Sequence, residues 1–508
     1  MSNSENNKRI AKNTFALYFR QIITMGVALF TSRIVLQALG VTDFGINNVV
    51  AGVVGMFGIL SGTLMAITQR FLTFELGRGN TEVLKKIFST SMILHLSIGI
   101  ITIIFSETIG LWFLNNKLVI PPDRIAAARW VFQFTVFGFL LSLFNSPLMA
   151  LITSHEDMHI YGYLGILDVL IRLITAYLLL IINVDKLVFF AVFGFIASCI
   201  VSLIYFIYCK KKYQETRFSF IFDKSLLKEL SGFGGYVFVG NIFWILRIKG
   251  TNILLNMFYG PAVNAAAGLA NSVNAAIQSF GNNFRQALNP QLTKSYAQND
   301  KDQVWSLLER GTRFTFFLLL VFSVPILLKT EFVLKLWLKN VPEYTTIITK
   351  LMILNILVEA TFVLLNTIIL ATGNLKMYYY ITYITSIISF LFFYLICKFK
   401  YDPFYVFLIL PIITFLFIPI RFLILRNITN FSIIFFIRKS LLPIIIVTII
   451  SFLPFYYTNK LISETYFNSF IILLTSAIWT LIIIILVGLR KNERIKIYFF
   501  LKNKIIKK

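Results

Sequence analysis

Residues Leu39–Ile87 read LGVTDFGINNVVAGVVGMFGILSGTLMAITQRFLTFELGRGNTEVLKKI, and the chain repeats this pattern about 220 residues later. With Gly40 aligned on Gly260, each copy is a short turn, a helix-length run of small and apolar residues, and a polar amphipathic segment. Duplication at so long a period in an apolar chain is typical of a membrane bundle with two homologous halves, because solenoid repeats are much shorter. The sequence therefore predicts two related lobes.

Composition places the chain in a membrane. Of its 508 residues, 58% are hydrophobic and 14% are charged, and the mean hydropathy is +0.80. A membrane-spanning helix needs roughly 20 apolar residues, whereas a β-barrel would need short alternating strands that are not seen here. We predict an all-α integral membrane protein with about 14 transmembrane helices, centred near residues 27, 56, 101, 140, 172, 198, 246, 275, 320, 358, 386, 414, 447 and 478.

The predicted helices divide into two six-helix lobes and an additional C-terminal pair. The boundaries are 1–209 for the N-lobe (helices 1–6), 210–228 for a cytoplasmic linker, 229–430 for the C-lobe (helices 7–12), 431–490 for helices 13 and 14, and 491–508 for a basic cytoplasmic tail. Helices 13 and 14 have no counterpart in the first lobe, so we interpret them as an addition to a six-plus-six core.

The net charge of +25 reflects topology rather than binding to nucleic acid. Alternate loops hold roughly three times the Lys and Arg of the others, which favours a cytoplasmic side for those loops and for both termini. The segment 329–350 should lie outside and yet is also basic, so we interpret it as an interfacial helix. The polar start leads directly into a full-length helix without a cleavage site, which predicts no cleaved signal peptide.

Charged residues inside apolar helices are the main functional signal, because a charge at membrane depth normally faces a cavity or a partner. Helix 1 carries Arg20 and Arg33, which share one face only if the helix bends, for example at Gly26. Arg33 could instead extend to the outer interface. Helix 7 carries Arg247 and Lys249 about 200° apart, so one of the two is expected to face a cavity.

Helix 8 is the least lipid-like. Polar residues recur every seventh position along it, and neighbouring asparagines fall on nearly the same arc: Asn264, Asn271, Gln278 and Arg285, with Asn274, Asn282 and Asn289. The stripe is either polar contact between helices or the wall of a hydrated cavity. We favour the cavity wall, because the stripe exceeds what packing needs.

Two further features have structural interpretations. Asp168 and Arg172 lie four residues apart on helix 5, where they can neutralise each other as a structural pair or as a gate between lobes. His155–His159 reads HEDMH and matches the zinc motif HExxH, but it falls in a predicted turn without a third ligand. We therefore expect neither a metal nor any other cofactor. Cys199, Cys209 and Cys397 lack CxxC spacing and are interpreted as packing residues.

Three stretches carry a family resemblance. ALGVTDFGINNVVAGVV, AITQRFLTFELGRGN and the turn FLNNKLVIPPDR resemble bacterial polysaccharide biosynthesis membrane proteins of the Wzx type, in the MATE-like multidrug/oligosaccharidyl-lipid/polysaccharide exporter (MOP) superfamily. The resemblance covers essentially the whole chain. It implies a V-shaped, two-lobe inner-membrane transporter that flips undecaprenyl-pyrophosphate-linked oligosaccharides for O-antigen, lipopolysaccharide, capsule or exopolysaccharide by alternating access.

The resemblance also implies non-enzymatic transport alongside membrane lipids, a polysaccharide polymerase and a chain-length regulator. No GxxxxGK[ST] loop occurs in the sequence, so ATP hydrolysis is not expected. The intramembrane arginines fit this function, because guanidinium groups bind pyrophosphate through paired donors. We assign substrate binding to Arg20, Arg33, Arg247, Lys249, Asn271, Gln278 and Arg285.

Two other functions remain open from the sequence. A cation-coupled multidrug extruder of the same superfamily would be expected to keep acidic groups in its cavity, whereas helix 1 offers arginines. A non-transporting scaffold of a polysaccharide assembly complex would need no charged lumen. The sequence does not indicate which sugar is carried or which ion drives transport.

Overall fold

A computed structural model describes residues 3–55, 58–78, 80–155, 157–216, 246–247, 249–297, 300–371, 375–429, 431–461 and 465–495. Within these ranges the regular structure is helical and contains no strand. The predicted all-α membrane class is therefore confirmed. In the same ranges nine helices are long and apolar enough to cross a membrane, and a bent pair raises this to ten. The total of fourteen stays a prediction, as do the predicted domain limits, because part of the 210–228 linker lies outside the described residues.

The helices in the first part of the chain are α1 (Asn3–Gly55), α2 (Gly58–Arg78), α3 (Thr81–Phe105), α4 (Ile125–Ser154), α5 (Met158–Ile181), α6 (Lys186–Lys212), α7 (249–259) and α8 (Pro261–Ala297). A π-helical turn, Ser106–Gly110, and the short helix Leu111–Asn116 extend α3.

The later helices are α9 (Lys301–Leu328), α10 (Thr330–Leu338), α11 (Thr345–Ala360), α12 (Val363–Ala371), α13 (Leu375–Lys398), α14 (Phe404–Leu416), α15 (Ile418–Thr429), α16 (Leu442–Leu461) and α17 (Tyr466–Ile483). The short helix α10 lies in the segment that the sequence predicts to be interfacial.

The chain forms two compact units, and two of their three boundaries fall inside helices. The first comprises Met1–Leu269 and Ser386–Pro403, and the second comprises Ala270–Thr385 and Phe404–Lys508.

The first unit has two apolar clusters along the long helix α4. Val49, Val50 and Val131 are fully buried in one cluster, and Leu72 and Leu151 are fully buried in the other. Its surface exposes large apolar side chains such as those of Ile100, Ile104 and Ile181, which is the arrangement required next to lipid. This surface is therefore expected to face the lipid of the membrane.

The second unit centres on α9, against which α16 and α17 pack directly. An apolar cluster around Leu308, Leu364 and Phe422 joins α9 to α12 and α15. Phe436 packs against Phe422 and Phe431, with both ring-centroid distances at 5.5 Å. The predicted additional helix pair is thus part of the core of this unit.

The repeated glycines adopt the same unusual backbone conformation. Gly40 has a φ of +77° and Gly260 a φ of +82°, and no other glycine in the described ranges has a positive φ. At Gly40, which lies inside α1, ψ is 173°, a combination that side chains other than hydrogen rarely permit. The sequence alignment of these two residues therefore corresponds to a shared structural turn.

The two copies also meet at equivalent positions. Gly268 is the repeat counterpart of Asn48, and a Cβ atom on Gly268 would lie 2.7 Å from the Asn48 Nδ2 atom. Nearby, a Cβ atom on Gly45 would overlap the backbone carbonyl of Pro261.

Candidate functional site

The predicted cations of the first unit lie in α1 and around α7. Arg33, Arg247 and Lys249 are each half-buried. The Arg247 carbonyl accepts a hydrogen bond from the Thr251 hydroxyl. The side chain of Arg20 lies outside the described residues. Helix α1 stays helical through Gly26 and breaks at Gly40 instead, and on a straight helix positions 20 and 33 lie on different faces. The helix therefore has no break at Gly26, and a common face for the two arginines stays a prediction.

Polar side chains of α7 lie next to two glycines of the first copy. A Cβ atom on Gly55 would lie 3.4 Å from the Lys249 Nζ atom, and one on Gly52 would lie 3.8 Å from the Asn252 Nδ2 atom. Both distances are ordinary van der Waals contacts. Lys249 and Asn252 therefore lie close to this face of α1, and a methyl group would still fit at either glycine.

A cavity of about 480 Å³ lies within the first unit, among helices α1, α4, α5 and α6. Its wall includes polar side chains on all four helices: Asn47, Thr135, Ser142, Arg172, Thr175 and Ser198. The Arg172 Nε atom donates to both carboxylate oxygens of Asp168, at 3.0 and 3.1 Å. The two residues thus form an ion pair at the cavity, and whether the pair acts as a gate stays a prediction.

The polar stripe on α8 divides into contact residues and accessible residues. Asn264 is buried and donates to the Asn252 carbonyl at 2.7 Å, and Asn289 accepts from the Thr367 hydroxyl at 3.2 Å. Between these ends, Asn271 is exposed and Gln278 is half-buried. The buried ends of the stripe therefore make contacts between helices, and the cavity wall stays a prediction for its accessible middle.

Arg285 continues the accessible part of the stripe within the second unit. Its side chain is half-buried, and its guanidinium group donates to the Asn282 amide oxygen one turn earlier. The Glu359 carboxylate lies within electrostatic range of it. A guanidinium group held in this way keeps further donors for an anion, because Arg has five N–H groups.

The sequence analysis missed three other arginines with defined partners. Arg421 is buried, donates to the Asn366 amide oxygen at 2.7 Å and lies 4.4 Å from the Phe362 ring centroid. The rule that singled out Arg247, a charge within an apolar run, would also have found Arg421. Its contacts are those of a packing residue.

Arg313 lies on α9 and is only 1% exposed. It donates to the Glu493 carboxylate and to the Gly488 carbonyl, both at 2.8 Å, and Arg490 binds Glu309 close by. No sequence signal indicates these partners, because they lie more than 170 residues away from Arg313 along the chain.

Arg124 joins three segments of the first unit. It donates to Asp43 with Nε at 2.9 Å and to Asp185 with Nη1 at 2.7 Å. In the same region, Asn256 holds the backbone of Val119 through two hydrogen bonds, at 2.8 and 3.3 Å. These contacts fix the turn FLNNKLVIPPDR.

Within the HEDMH motif, His155 and Asp157 make contacts between helix ends. His155 Nε2 lies 3.3 Å from a Glu215 carboxylate oxygen, and its ring stacks on Tyr213. Asp157 accepts from Lys212 at 2.7 Å and from the Tyr213 hydroxyl. The side chains of Glu156 and His159 lie outside the described residues. Among the residues that are described, no group of three potential metal ligands comes together.

Solved structures with the same fold are membrane transporters. The lipid II flippase MurJ, in an inward closed conformation, matches with a TM-score of 0.68 at 14% identity, covering 93% of this chain and 98% of that one. An inward-facing multidrug resistance MATE family transporter of the MOP superfamily matches with a TM-score of 0.57 at 14% identity, covering 82% and 94%. No protein among the curated sequences matches this chain. The fold is therefore that of a MurJ-like and MATE-like transporter.

The family is defined at the sequence level as well. The profile of the polysaccharide biosynthesis protein family matches residues 10–296, which is more than half of the chain. The chain belongs to this polysaccharide biosynthesis family. The predicted resemblance to bacterial polysaccharide biosynthesis membrane proteins is thereby confirmed.

Proposed function

We propose that this protein flips undecaprenyl-pyrophosphate-linked oligosaccharide repeat units across the bacterial inner membrane by alternating access. The units would serve O-antigen, lipopolysaccharide, capsule or exopolysaccharide synthesis, with a polymerase and a chain-length regulator as partners downstream. Both termini would be cytoplasmic, and the two predicted lobes would move about the substrate. The protein would act as a transporter and not as an enzyme.

The observation that carries this proposal is Arg285, half-buried on a helix whose accessible face is lined with carboxamides. A pyrophosphate needs cationic donors in paired geometry, and the adjoining sugars need neutral hydrogen-bonding groups. Arg285 would supply the first and Asn271 and Gln278 the second. Arg33, Arg247 and Lys249 would supply further positive charge, and Arg20 is assigned with them from the sequence alone.

The multidrug extruder is the alternative with a specific structural argument. It would use intramembrane carboxylates to attract cationic drugs. Asp168 is such a carboxylate, but Arg172 neutralises it within 3.1 Å. The balance of charge among the assigned residues is positive, which favours an anionic substrate over a cationic one. A non-transporting scaffold has no comparable use for these charges.

The test is surface-polysaccharide production by a null strain that carries Arg247→Lys, Arg247→Met, Arg285→Lys or Arg285→Met at matched protein levels. We expect the Met variants to lose flipping at least about 100-fold while they still insert and fold. The Lys variants should recover only part of the activity, because an ammonium group keeps the charge but loses the planar pair of donors.

Arg421→Met is the matched control, because Arg421 is buried in packing contacts with Asn366 and Phe362. Its replacement should lower the amount of folded protein and leave the activity per molecule largely unchanged. Full activity of both Arg247→Met and Arg285→Met would eliminate the proposed anion site and favour the extruder or the scaffold.

A further inference from the structure

The cavity among α1, α4, α5 and α6, which we call the first-unit cavity, has the size of a ligand site. Its volume of about 480 Å³ lies within the range of roughly 300–1,000 Å³ that is typical of small-molecule sites. Most of its lining residues are apolar or aromatic, and each of the four helices adds polar side chains. Sites for small molecules combine these two kinds of surface. The cavity therefore has the size and the composition of a binding site.

Two glycines inside helices keep this cavity open. Gly138 on α4 and Gly194 on α6 both line it, and a Cβ atom at either position would have no neighbour within 4 Å. Neither glycine has a positive φ. Packing and backbone geometry would thus permit a larger residue, which would also form helix better than glycine does. What the two glycines contribute is therefore open space.

The hydroxyl groups of the wall present hydrogen-bond acceptors. Each donates its proton to a backbone carbonyl three or four residues earlier in its own helix, at distances from 2.6 to 3.0 Å: Thr135, Ser142, Thr175 and Ser198. A hydroxyl oxygen that has donated its proton keeps lone pairs for another donor. The wall is therefore suited to a ligand that carries O–H groups.

Arg172 provides donors in the same wall. Its Nε atom donates to both carboxylate oxygens of Asp168. Within the described part of the chain its terminal nitrogens make no further contact, so their four N–H groups are available to a ligand in the cavity. Because Asp168 balances the charge, the pair offers hydrogen bonds without a net charge. This arrangement favours a neutral, hydroxyl-rich ligand.

Phenylalanine rings supply an apolar surface beside these polar groups. Phe134, Phe139, Phe190 and Phe195 line the cavity, and the ring centroids of Phe134 and Phe195 lie 5.8 Å apart. A sugar ring has C–H groups on its faces and hydroxyls around its rim, so it needs an apolar surface on one side and hydrogen bonds at its edge. A lipid chain would instead leave the polar groups of the wall without partners. The cavity therefore fits a sugar better than a lipid chain.

A cation at the edge of the cavity connects it with the pyrophosphate. Gly55 lines the cavity, and a Cβ atom there would lie 3.4 Å from the Lys249 Nζ atom. Lys249 is one of the residues to which we assign the pyrophosphate. The first sugar of a lipid-linked oligosaccharide is bonded directly to this group. A pyrophosphate held by Lys249 would therefore place that sugar at the cavity.

We propose that the first-unit cavity binds the sugar that is attached to the pyrophosphate of the transported lipid. The sugar hydroxyls donate to the hydroxyl oxygens of the wall and accept from Arg172, and a face of the sugar ring packs on the phenylalanine rings. This proposal rests on the proposed function, in which Lys249 contributes positive charge for the pyrophosphate. It makes the cavity the part of the first unit that selects among lipid-linked oligosaccharides.

The test is binding of two lipids to the full-length protein in detergent, measured by microscale thermophoresis. One lipid is undecaprenyl pyrophosphate, and the other is the undecaprenyl-pyrophosphate-linked oligosaccharide extracted from a null strain. Gly194→Leu should weaken binding of the sugar-bearing lipid at least about tenfold, because several hydrogen bonds are lost together, and leave the sugar-free lipid unaffected. Leucine forms helix well and its Cβ atom would meet no neighbour, so the variant is expected to fold. Gly138→Leu fills the same cavity from α4 and should give the same selective loss.

Gly62→Leu is the matched control, because Gly62 is exposed on α2, has open space around its Cα and does not line the cavity. It should bind both lipids like wild type. Unchanged binding of the sugar-bearing lipid in both cavity variants would overturn the sugar site. Equal weakening of the two lipids would overturn it as well, because the cavity would then hold the polyprenyl chain or serve packing alone.

Lys249→Met separates this proposal from the proposed function. It should weaken the binding of both lipids, since both carry the pyrophosphate. Unchanged binding of both would refute the assignment of Lys249 to the pyrophosphate. A selective loss of the sugar-bearing lipid in Gly194→Leu would still support the sugar site in that case.

Discussion

The two copies of the repeated segment share a backbone turn and differ in the helix that follows it. Gly40 and Gly260 have φ angles within 5° of each other. After both glycines the helix buries equivalent apolar positions completely: Ile46, Val49 and Val50 in the first copy, and Ala266, Leu269 and Ala270 in the second. The second helix, α8, also carries the polar stripe. The two copies have thus kept the glycine turn, which sets the direction of the chain. Both copies provide apolar packing, and the second adds the longer row of polar side chains.

The two turns also differ in the kind of contact that holds them. Asp43 in the first copy is held by Arg124, whereas its repeat counterpart, Val263, is a buried apolar residue. The first turn is therefore fixed by charge and the second by packing. Three sets of substitutions test how far each copy depends on its own contacts.

The largest effect is expected at the closest approach of the two copies. In Gly45→Ala the new methyl group would overlap the Pro261 backbone carbonyl, which cannot move without the helix. We expect a loss of roughly 3 kcal/mol or more of stability, seen as little monodisperse protein in fluorescence-detected size-exclusion chromatography.

Gly62→Ala is the control, because Gly62 is exposed in α2 with open space around its Cα. It should be neutral or stabilise by about 0.5–1 kcal/mol. Gly268→Ala meets only the side chain of Asn48 and should cost less than Gly45→Ala. Normal yield of Gly45→Ala would mean that the two copies do not touch there.

A medium effect is expected at the shared turn. Gly40→Ala and Gly260→Ala place a side chain in a left-handed backbone conformation, although neither position is crowded. Each change should cost about 1–3 kcal/mol, and the two costs should be similar if the turns are equivalent. Thermal unfolding in detergent measures both. A cost at one glycine and none at the other would break the equivalence of the copies.

The smallest effect is expected at the ionic clamp of the first copy. Burial alone would raise the pKa of Asp185, but the hydrogen bond from Arg124 and backbone N–H groups hold it below its ordinary value of 3.8. A lowered folded-state pKa contributes stability above the unfolded-state value, and this contribution is lost as pH falls through the folded-state pKa.

Because Asp185 is 38% exposed, Asp185→Asn should cost only about 0.5–1 kcal/mol near pH 7. The difference in melting temperature from wild type should shrink as pH falls below 3.8. A difference that grows with acid would show that the charge of Asp185 is not what stabilises the clamp.

The sequence predicted those features that depend on local pattern. The register of the repeat was evident from the glycines, and the Asp168–Arg172 pair follows from a spacing of four on a helix. The helical class follows from long apolar runs. Each of these needs information from only one turn of helix or one aligned pair of residues.

Features that depend on tertiary contact could not be predicted in this way. The break after Ala360 falls in NILVEATFVLLN, which has neither Gly nor Pro and reads as one continuous helix. Asn355 and Thr414 meet across 59 residues, and Asn256 and Val119 across 137. Helical periodicity alone does not specify which residues of two helices meet.

The partners of Arg313 have a consequence for biogenesis. Glu493 is translated 180 residues after Arg313, which at about 5–20 residues per second is a delay of roughly 10–40 s. During that interval the guanidinium group that is buried in the finished protein lacks one of its carboxylates. The second unit can therefore close around α9 only late in synthesis, and the nascent helix would need shielding by the insertion machinery until then.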